Sequence, residues 1–336
     1  MKIGILGAGS WGIALTALLS SNGHDVTVWS IDKNEIDMLL TYREHKTKLP
    51  GVIIDDKVVF TTDVREAVDG ADMLVMVVPS PFIRSTAKTI APYVSEGQLI
   101  VNVSKGIEES TLMTLTDVIK DEIPIANVGV LSGPSHAEEV GRRLPTTVVV
   151  SAYDEQTALL IQDAFMTDFF RVYTSPDMIG IELGGALKNV IALAAGMADG
   201  LGCGDNTKAA LITRGIAEIT RLGVAMGGQL ETFSGLSGIG DLIVTCASKH
   251  SRNRKAGFLM GQGKSYKEAM DEVKMVVEGV YSAKAALMLS RKYGVEMPIV
   301  EIINKVLFED YNTTDAMKDL LTRNRTSESK SLSWNK

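Results

Sequence analysis

The chain has 336 residues, 45% of them hydrophobic and 22% charged, the balance of an ordinary soluble globular protein and, at roughly 100–200 residues per domain, of one with two domains. Its net charge of −7 repels nucleic acid and anionic membranes, so any anionic ligand must be held by a local cluster of donors. The two cysteines, Cys203 and Cys246, and the histidines His24, His45, His136 and His250 show no CxxC, HxxxH or HExxH spacing, so no resident metal is expected and the cysteines read as buried thiols of a reducing cytoplasm.

From Ile3 to Gly23 no residue is charged, which superficially resembles a signal peptide or a membrane span. Glycines at 4, 7, 9 and 12 interrupt the run, and a strand over 2–6, a glycine turn, an apolar-faced helix over 11–21 and a second strand over 26–30 account for it better. The turn carries G-x-G-x-x-G as Gly7, Gly9 and Gly12. In dinucleotide binding the first glycine permits the tight turn, the second lets backbone approach the pyrophosphate, and the third lets helix pack on strand. The N-terminus of that helix then presents free N–H groups and partial positive charge to the phosphates.

Apolar strand-like runs continue at 73–78, 99–103, 128–131, 147–150 and 170–173, separated by helix-like segments such as 82–93 and 111–121. The alternation predicts an α/β fold with a Rossmann-type, doubly wound, mostly parallel sheet covered on both faces. Ligands in such folds bind beyond the carboxyl ends of the strands. Three of those ends are chemically loaded: "VVPS", "VNVSKGIE" with Lys105, and "VLSGPSHAEEV" with a small polar loop from Ser132 to Ser135. Lys105 reads as an amine in the crevice, against the plainer alternative of a solvated loop lysine. Pro134 suits a first helical residue after Gly133, so this loop fits a helix cap and a ligand site equally well.

Beyond Asp177 the strand signals fade and helices are predicted over 179–198, 208–226, 254–260, 266–275, 281–293 and 297–307. The expected organisation is a dinucleotide-binding domain over 1–178, an all-helical substrate domain over 179–326 and a polar tail over 327–336. In "GGALKN" the helical neighbours of Lys188 are Gly184, Gly185, Ile191 and Ala192, so no carboxylate lies within reach along its own helix. The small residues on its face leave room for a substrate and a nicotinamide ring, or for another helix. Further on, Gly235, Gly238 and Gly240 lead to Asp241 and a short apolar helix, and the run from Lys249 to Lys255 carries four fixed positive charges. A solvated basic face is the usual meaning of such a run. Ser251, Arg252 and Asn253, opening the next helix, also make a phosphate cradle of hydroxyl, guanidinium and amide, the reading favoured in an acidic chain.

Taken in order, "GAGSWG", "VSKGIE", "LSGPSHAEEVG", "FRVYTSPDMIGIELGGALKNVIALAAGMADGLG", "ALITRGIAEI", "GDLIVTC" and "HSRNRKAG" resemble the bacterial NAD(P)-dependent glycerol-3-phosphate dehydrogenases over nearly the whole chain. The resemblance implies reversible hydride transfer between a nicotinamide, NAD or NADP, and C2 of glycerol 3-phosphate, run towards reduction of dihydroxyacetone phosphate for phospholipid synthesis in the cytoplasm. It implies that Lys188 is the general base, and the acid in the reductive direction. Lys105 would lie beside the reacting oxygen, Gly133, Ser135 and Asp241 would line the substrate pocket, and Ser251, Arg252 and Asn253 would hold the phosphate. Ser10, Trp11, Ala137, Val276 and Glu278 would join Lys105 and Arg252 on the dinucleotide. The partner is a small phosphorylated substrate, and the oligomeric state stays open, with a homodimer as one option.

One departure concerns the cofactor. Members preferring NADPH often carry His or Arg just after the second strand, where this chain has Ile31 and Asp32. Asp32 favours the free ribose of NADH, while Ser30 and Lys33 could accept a 2′-phosphate, so dual use is expected. The competing readings are a related dehydrogenase of 6-phosphogluconate or ketopantoate, and a non-catalytic dinucleotide sensor.

Overall fold

In the computed structural model, which describes residues 1–324, 327 and 328, eight strands alternate with helices up to Thr174. In chain order they are β1 (Lys2–Leu6), α1 (Ser10–Ser21), β2 (Asp25–Trp29), α2 (Lys33–Tyr42), β3 (Val59–Thr61), α3 (Val64–Val68), β4 (Met73–Met76), α4 (Ile83–Ile90), β5 (Leu99–Asn102), α5 (Leu115–Glu122), β6 (Asn127–Ser132), α6 (Ala137–Val140), β7 (Thr146–Ala152), α7 (Glu155–Phe165) and β8 (Phe170–Thr174). The sheet order is β3-β2-β1-β4-β5-β6-β7-β8, parallel except where β6 meets β7. Its first six positions follow the Rossmann order, which reverses between β1 and β4 and opens a crevice there. β4 and β5 are buried at every position, because helices cover both faces; this is why they read as unbroken apolar runs.

The register sets the floor of the site. Leu6 pairs with Trp29 on one side and with Met76 on the other, and Met76 pairs with Asn102. The residues that follow these ends, Gly7, Ser30, Val77 and Val103, therefore lie along one rim.

Residues 31–72 hold α2, β3 and α3, none of which the hydrophobic periodicity signals. α2 buries only Ile36 and Leu39 and β3 has three residues, too little for a period to register. Their starts are marked instead by caps: Asp32 accepts from the Asn34 N–H and Asp63 from the Arg65 N–H. α6 begins at Ala137 with His136 before it, so Pro134 is a loop residue and not the first residue of a helix.

From Met178 the described residues hold helices: α8 (Met178–Gly200), α9 (Asp205–Ala225), α10 (Leu230–Phe233), α11 (Asp241–Ala247), α12 (Arg252–Gly261), α13 (Tyr266–Val273), α14 (Glu278–Tyr293), α15 (Pro298–Phe308) and α16 (Thr313–Thr322), with a π-turn over Leu236–Gly240. α8 is long and apolar enough to cross a membrane, but 94% of its most apolar window is buried within the fold; it is the axis of a helical bundle. α12 crosses it at backbone contact. A methyl added at Gly196 or Gly200 would drive into the carbonyls of Arg254 or Phe258, and one at Gly257 or Gly261 into those of Leu193 or Met197. Gly184 meets the Ser237 carbonyl in the same way. Gly184, Gly196 and Gly200 of α8 are thus a packing surface filled by the π-turn and α12, whereas Gly185 faces the Ser132 and Lys105 side chains. Of the tail expected over 327–336, all but residues 327 and 328 lies outside the described residues.

Candidate active site

A cleft of about 1270 Å³ runs along the carboxyl rim of the sheet and under the helical bundle. Gly7, Gly9, Ser10 and Trp11 line one end, Lys105, Ser135, Ala137, Lys188, Thr245, Ser251, Arg252 and Asn253 the other, with Val276 and Glu278 between the two halves of the fold. Gly12, Gly133 and Asp241 stand behind this surface. Gly12 lies against the Gly7 carbonyl, where a side chain would collide; Gly133 has a φ of +135 and packs on the Val148 backbone.

The glycine turn fits a dinucleotide. Gly7 has a φ of +126, and a methyl there would press on Val77 and Val78. Around Gly9 no atom lies within 4 Å of the place a methyl would take, so backbone is open to a ligand. No side chain caps α1, although Asp or Thr caps α2, α3 and α5. Its first N–H groups face the cleft, as a pyrophosphate requires.

At the other end two lysines from opposite sides of the cleft share one carboxylate. Lys188, on α8, donates from Nζ to Asp241 Oδ1 at 2.6 Å and to Thr245 Oγ1 at 2.6 Å. Lys105, after β5, donates to Asp241 Oδ2 at 2.6 Å and to the Gly133 carbonyl at 2.9 Å. Thr245 is one helical turn beyond Asp241 on α11, and its hydroxyl donates to the Asp241 carbonyl at 2.7 Å, leaving its lone pairs to Lys188. Lys188 is 5% and Asp241 1% exposed. Burial lowers the Lys188 ammonium; Asp241 resists, Lys105 adds to the fall, and it comes to about 8. An ammonium has three protons. Two are committed, and the third is available to a ligand in the cleft.

The basic run resolves into separate roles. Arg254 turns away to Asp199 at 2.6 Å, which also takes Lys208 at 2.8 Å, whereas Arg252 lines the cleft and donates to the Val276 carbonyl at 3.1 Å. Ser251 caps α12 by accepting from the Arg254 N–H at 3.1 Å, so its own proton is available. Asn253 braces the site: Nδ2 donates to Asn189 Oδ1 at 3.0 Å and Oδ1 accepts from the Gly279 N–H at 2.8 Å. One amide proton of Asn253 remains for a ligand. Glu278, expected on the dinucleotide, accepts from the N–H and the hydroxyl of Ser80, and burial raises its carboxyl.

Sequence reasoning passed over Thr245, Asn189, His136 and Ser80, all of which bear on the site. Thr245 was findable, since the four-residue step from Asp241 puts both on one helical face. Asn189 sits next to Lys188 in the chain, and Ser80 ends the loaded "VVPS". His136 lines the cleft with its ring 6.0 Å from that of His250; burial, then Lys188, holds it below the usual imidazole range. Lys33 does not reach the cleft. It pairs with Asp37 at 2.7 Å and is 77% exposed.

A glycine turn shaped for a pyrophosphate at a Rossmann switch point, facing buried lysines under a helical bundle, defines the class of dinucleotide-dependent dehydrogenases that work between two such halves. Residues 2–158 match the family model described as NAD-dependent glycerol-3-phosphate dehydrogenase N-terminus, and residues 177–318 match its C-terminus. The chain belongs to this family. It is 62% identical over 333 residues to the glycerol-3-phosphate dehydrogenase (NAD(P)+) of Agathobacter rectalis, covering 99% of each chain. To that of Fusobacterium nucleatum it is 59% identical over 327 residues, covering 97% of this chain and 98% of the relative. Among solved structures, glycerol-3-phosphate dehydrogenase from Coxiella burnetii superposes with a TM-score of 0.93 at 35% identity, covering 96% of this chain and 99% of that one.

Proposed function

We propose that the chain interconverts dihydroxyacetone phosphate and sn-glycerol 3-phosphate in the cytoplasm with NAD or NADP, supplying glycerophospholipid synthesis, and that Lys188 is its general acid and base. The observation that carries the reading is the buried Lys188 ammonium, brought to about 8 and left with one uncommitted proton in the cleft. A group titrating near neutrality serves proton transfer in both directions.

In this reading residues 1–178 bind the dinucleotide and residues 179–326 the substrate. Gly7, Gly9, Ser10, Trp11 and the start of α1 hold the pyrophosphate. The bound nicotinamide supplies or accepts the hydride. In reduction, Lys188 donates its third proton to the C2 oxygen as negative charge grows there, while Asp241 and Thr245 keep the amine aimed. In the reverse direction the neutral amine takes the hydroxyl proton. Lys105, anchored by Asp241 and Gly133, places a second positive charge beside the same oxygen. Ser251, Arg252 and the remaining Asn253 proton, with the N-terminus of α12, grip the phosphate. Ser135 sits next to the Gly133 carbonyl, to which its hydroxyl donates at 2.9 Å, and lines the pocket around the carbon chain.

The test is the purified protein with dihydroxyacetone phosphate and NADH or NADPH. Loss of reduced-nucleotide absorbance with glycerol 3-phosphate as product is expected. Turnover of ketopantoate but not of dihydroxyacetone phosphate would overturn the assignment. Binding of the dinucleotide without turnover of any phosphorylated ketone would favour a sensor.

A further inference from the structure

The adenosine half of a dinucleotide on this fold has its ribose at the end of β2. Of the residues the sequence singles out there, Asp32 lines the cleft but spends one carboxylate oxygen capping α2 through the Asn34 N–H at 2.9 Å, and Lys33 points outward to Asp37. Also lining the cleft beside Ser30 is a pair the sequence did not reveal, Glu35 from α2 and Lys48 from the loop that follows it.

The pair sits in a small network. The Ser30 hydroxyl donates to Glu35 Oε2 at 2.8 Å, and the Lys48 ammonium donates to Glu35 Oε1. His45, 1% exposed, has Nε2 at 3.4 Å from the same Oε1. Its Nδ1 accepts from the Lys48 N–H at 3.2 Å, which leaves Nε2 to carry the proton towards Glu35. Burial works to raise the Glu35 carboxyl, but hydrogen bonds from His45, Lys48 and Ser30 outweigh it and hold the group at about 2, so it is an anion at any working pH. A carboxylate has about four acceptor sites. Three are used here, and the one remaining is on Oε2, the oxygen bonded to Ser30.

We propose that the Glu35–Lys48 ion pair decides between the two dinucleotides. With the pair closed, the free lone pair of Glu35 accepts the ribose 2′-hydroxyl of NADH. A 2′-phosphate brings about two negative charges against that carboxylate and is held only when the half-exposed Lys48 side chain swings off Glu35 onto it. The chain therefore binds NADH by default and takes NADPH at the cost of opening the pair. The inference rests on the dinucleotide reading of the cleft given above.

Equilibrium binding of NADH, NADPH, AMP and adenosine 2′,5′-bisphosphate to the resting protein, by calorimetry, tests it without turnover. In Glu35→Gln the ratio of NADPH to NADH affinity should rise about tenfold, and in Lys48→Met it should fall about tenfold, the scale of one screened charge contact at a cleft mouth. The bisphosphate-to-AMP ratio should move with it. Lys48 is on a surface loop, so its variant reads out the pair even if Glu35→Gln unfolds. Ratios that stay within about twofold, or move in the same direction in both variants, overturn the proposal. A wild-type protein that binds neither dinucleotide overturns the cofactor reading itself, a result distinguishable from the first.

Discussion

Asp241→Asn is the most informative single change, because one buried carboxylate balances two ammonium groups. A unit charge at about 4 Å in an effective dielectric of about 20 is worth about 4 kcal/mol, or about three pKa units at roughly 1.4 kcal/mol each. Lys188, brought to about 8 with Asp241 in place, would titrate near ~5 without it, with Lys105 still beside it. Reduction of the ketone needs the protonated amine, so its rate falls as pH rises through that value. At pH 7 the protonated fraction drops from about nine-tenths to about one-hundredth, a loss of about a hundredfold in reductive kcat. The assay is NADH-dependent reduction of dihydroxyacetone phosphate from about pH 5 to about pH 10: wild-type activity declines above about 8, and variant activity above about 5. Breaking a buried pair costs about 3–5 kcal/mol, so the variant is measured well below its own unfolding temperature. A midpoint that stays near 8 in a folded variant refutes the shared-carboxylate account.

Lys188→Met should bind the dinucleotide normally, by calorimetry, yet lose at least about a hundredfold in kcat; near-normal turnover would end its role as acid and base. Glu182 on α8 accepts from the N–H and the hydroxyl of Thr116 on α5, and burial raises it from 4.5 to about 7. Between those values the folded state keeps a proton that the unfolded state has released, so stability falls as pH rises, by up to about 3 kcal/mol. Glu182→Gln should flatten that part of the Tm–pH curve and raise Tm at pH 8, and an unchanged slope would count against the assignment. Gly257→Ala forces a methyl into the Leu193 carbonyl and should cost about 1–3 kcal/mol or more in denaturant unfolding; a neutral result would mean that the two helices are free to part.

The parts of the fold written locally were legible. Gly7, Gly9 and Gly12 announced the turn, and the apolar runs announced the central strands, because a chain segment buried on both faces leaves no other pattern. α2, β3 and α3 escaped because three to ten residues with two buried positions each carry no period. In the site, Lys188 and Lys105 were each visible as amines in unusual surroundings. That they share Asp241 was not, since 53 residues separate it from one and 136 from the other, and only the folded chain brings them together. The small face of α8 was visible too, but glycine and alanine mark close approach of any kind: Gly184, Gly196 and Gly200 meet backbone, and Gly185 meets the side chains of Ser132 and Lys105. Lys33 misled for a related reason: its position after β2 was right, but its side chain follows the helix surface to Asp37.

The crossing of α8 and α12 has a consequence for what the cleft will accept. Lys188 rides on one helix and the residues proposed to hold the phosphate open the other; the two meet carbonyl to glycine at four places and are tied by Asn253 to Asn189 and Arg254 to Asp199. If those residues act as proposed, the span from proton donor to phosphate grip is set by main-chain contact braced by two side-chain ties, a go/no-go gauge for the length of the ketone. A phosphorylated ketone with one extra carbon between carbonyl and phosphate would seat its phosphate and overshoot the lysine, or meet the lysine and leave the phosphate unheld.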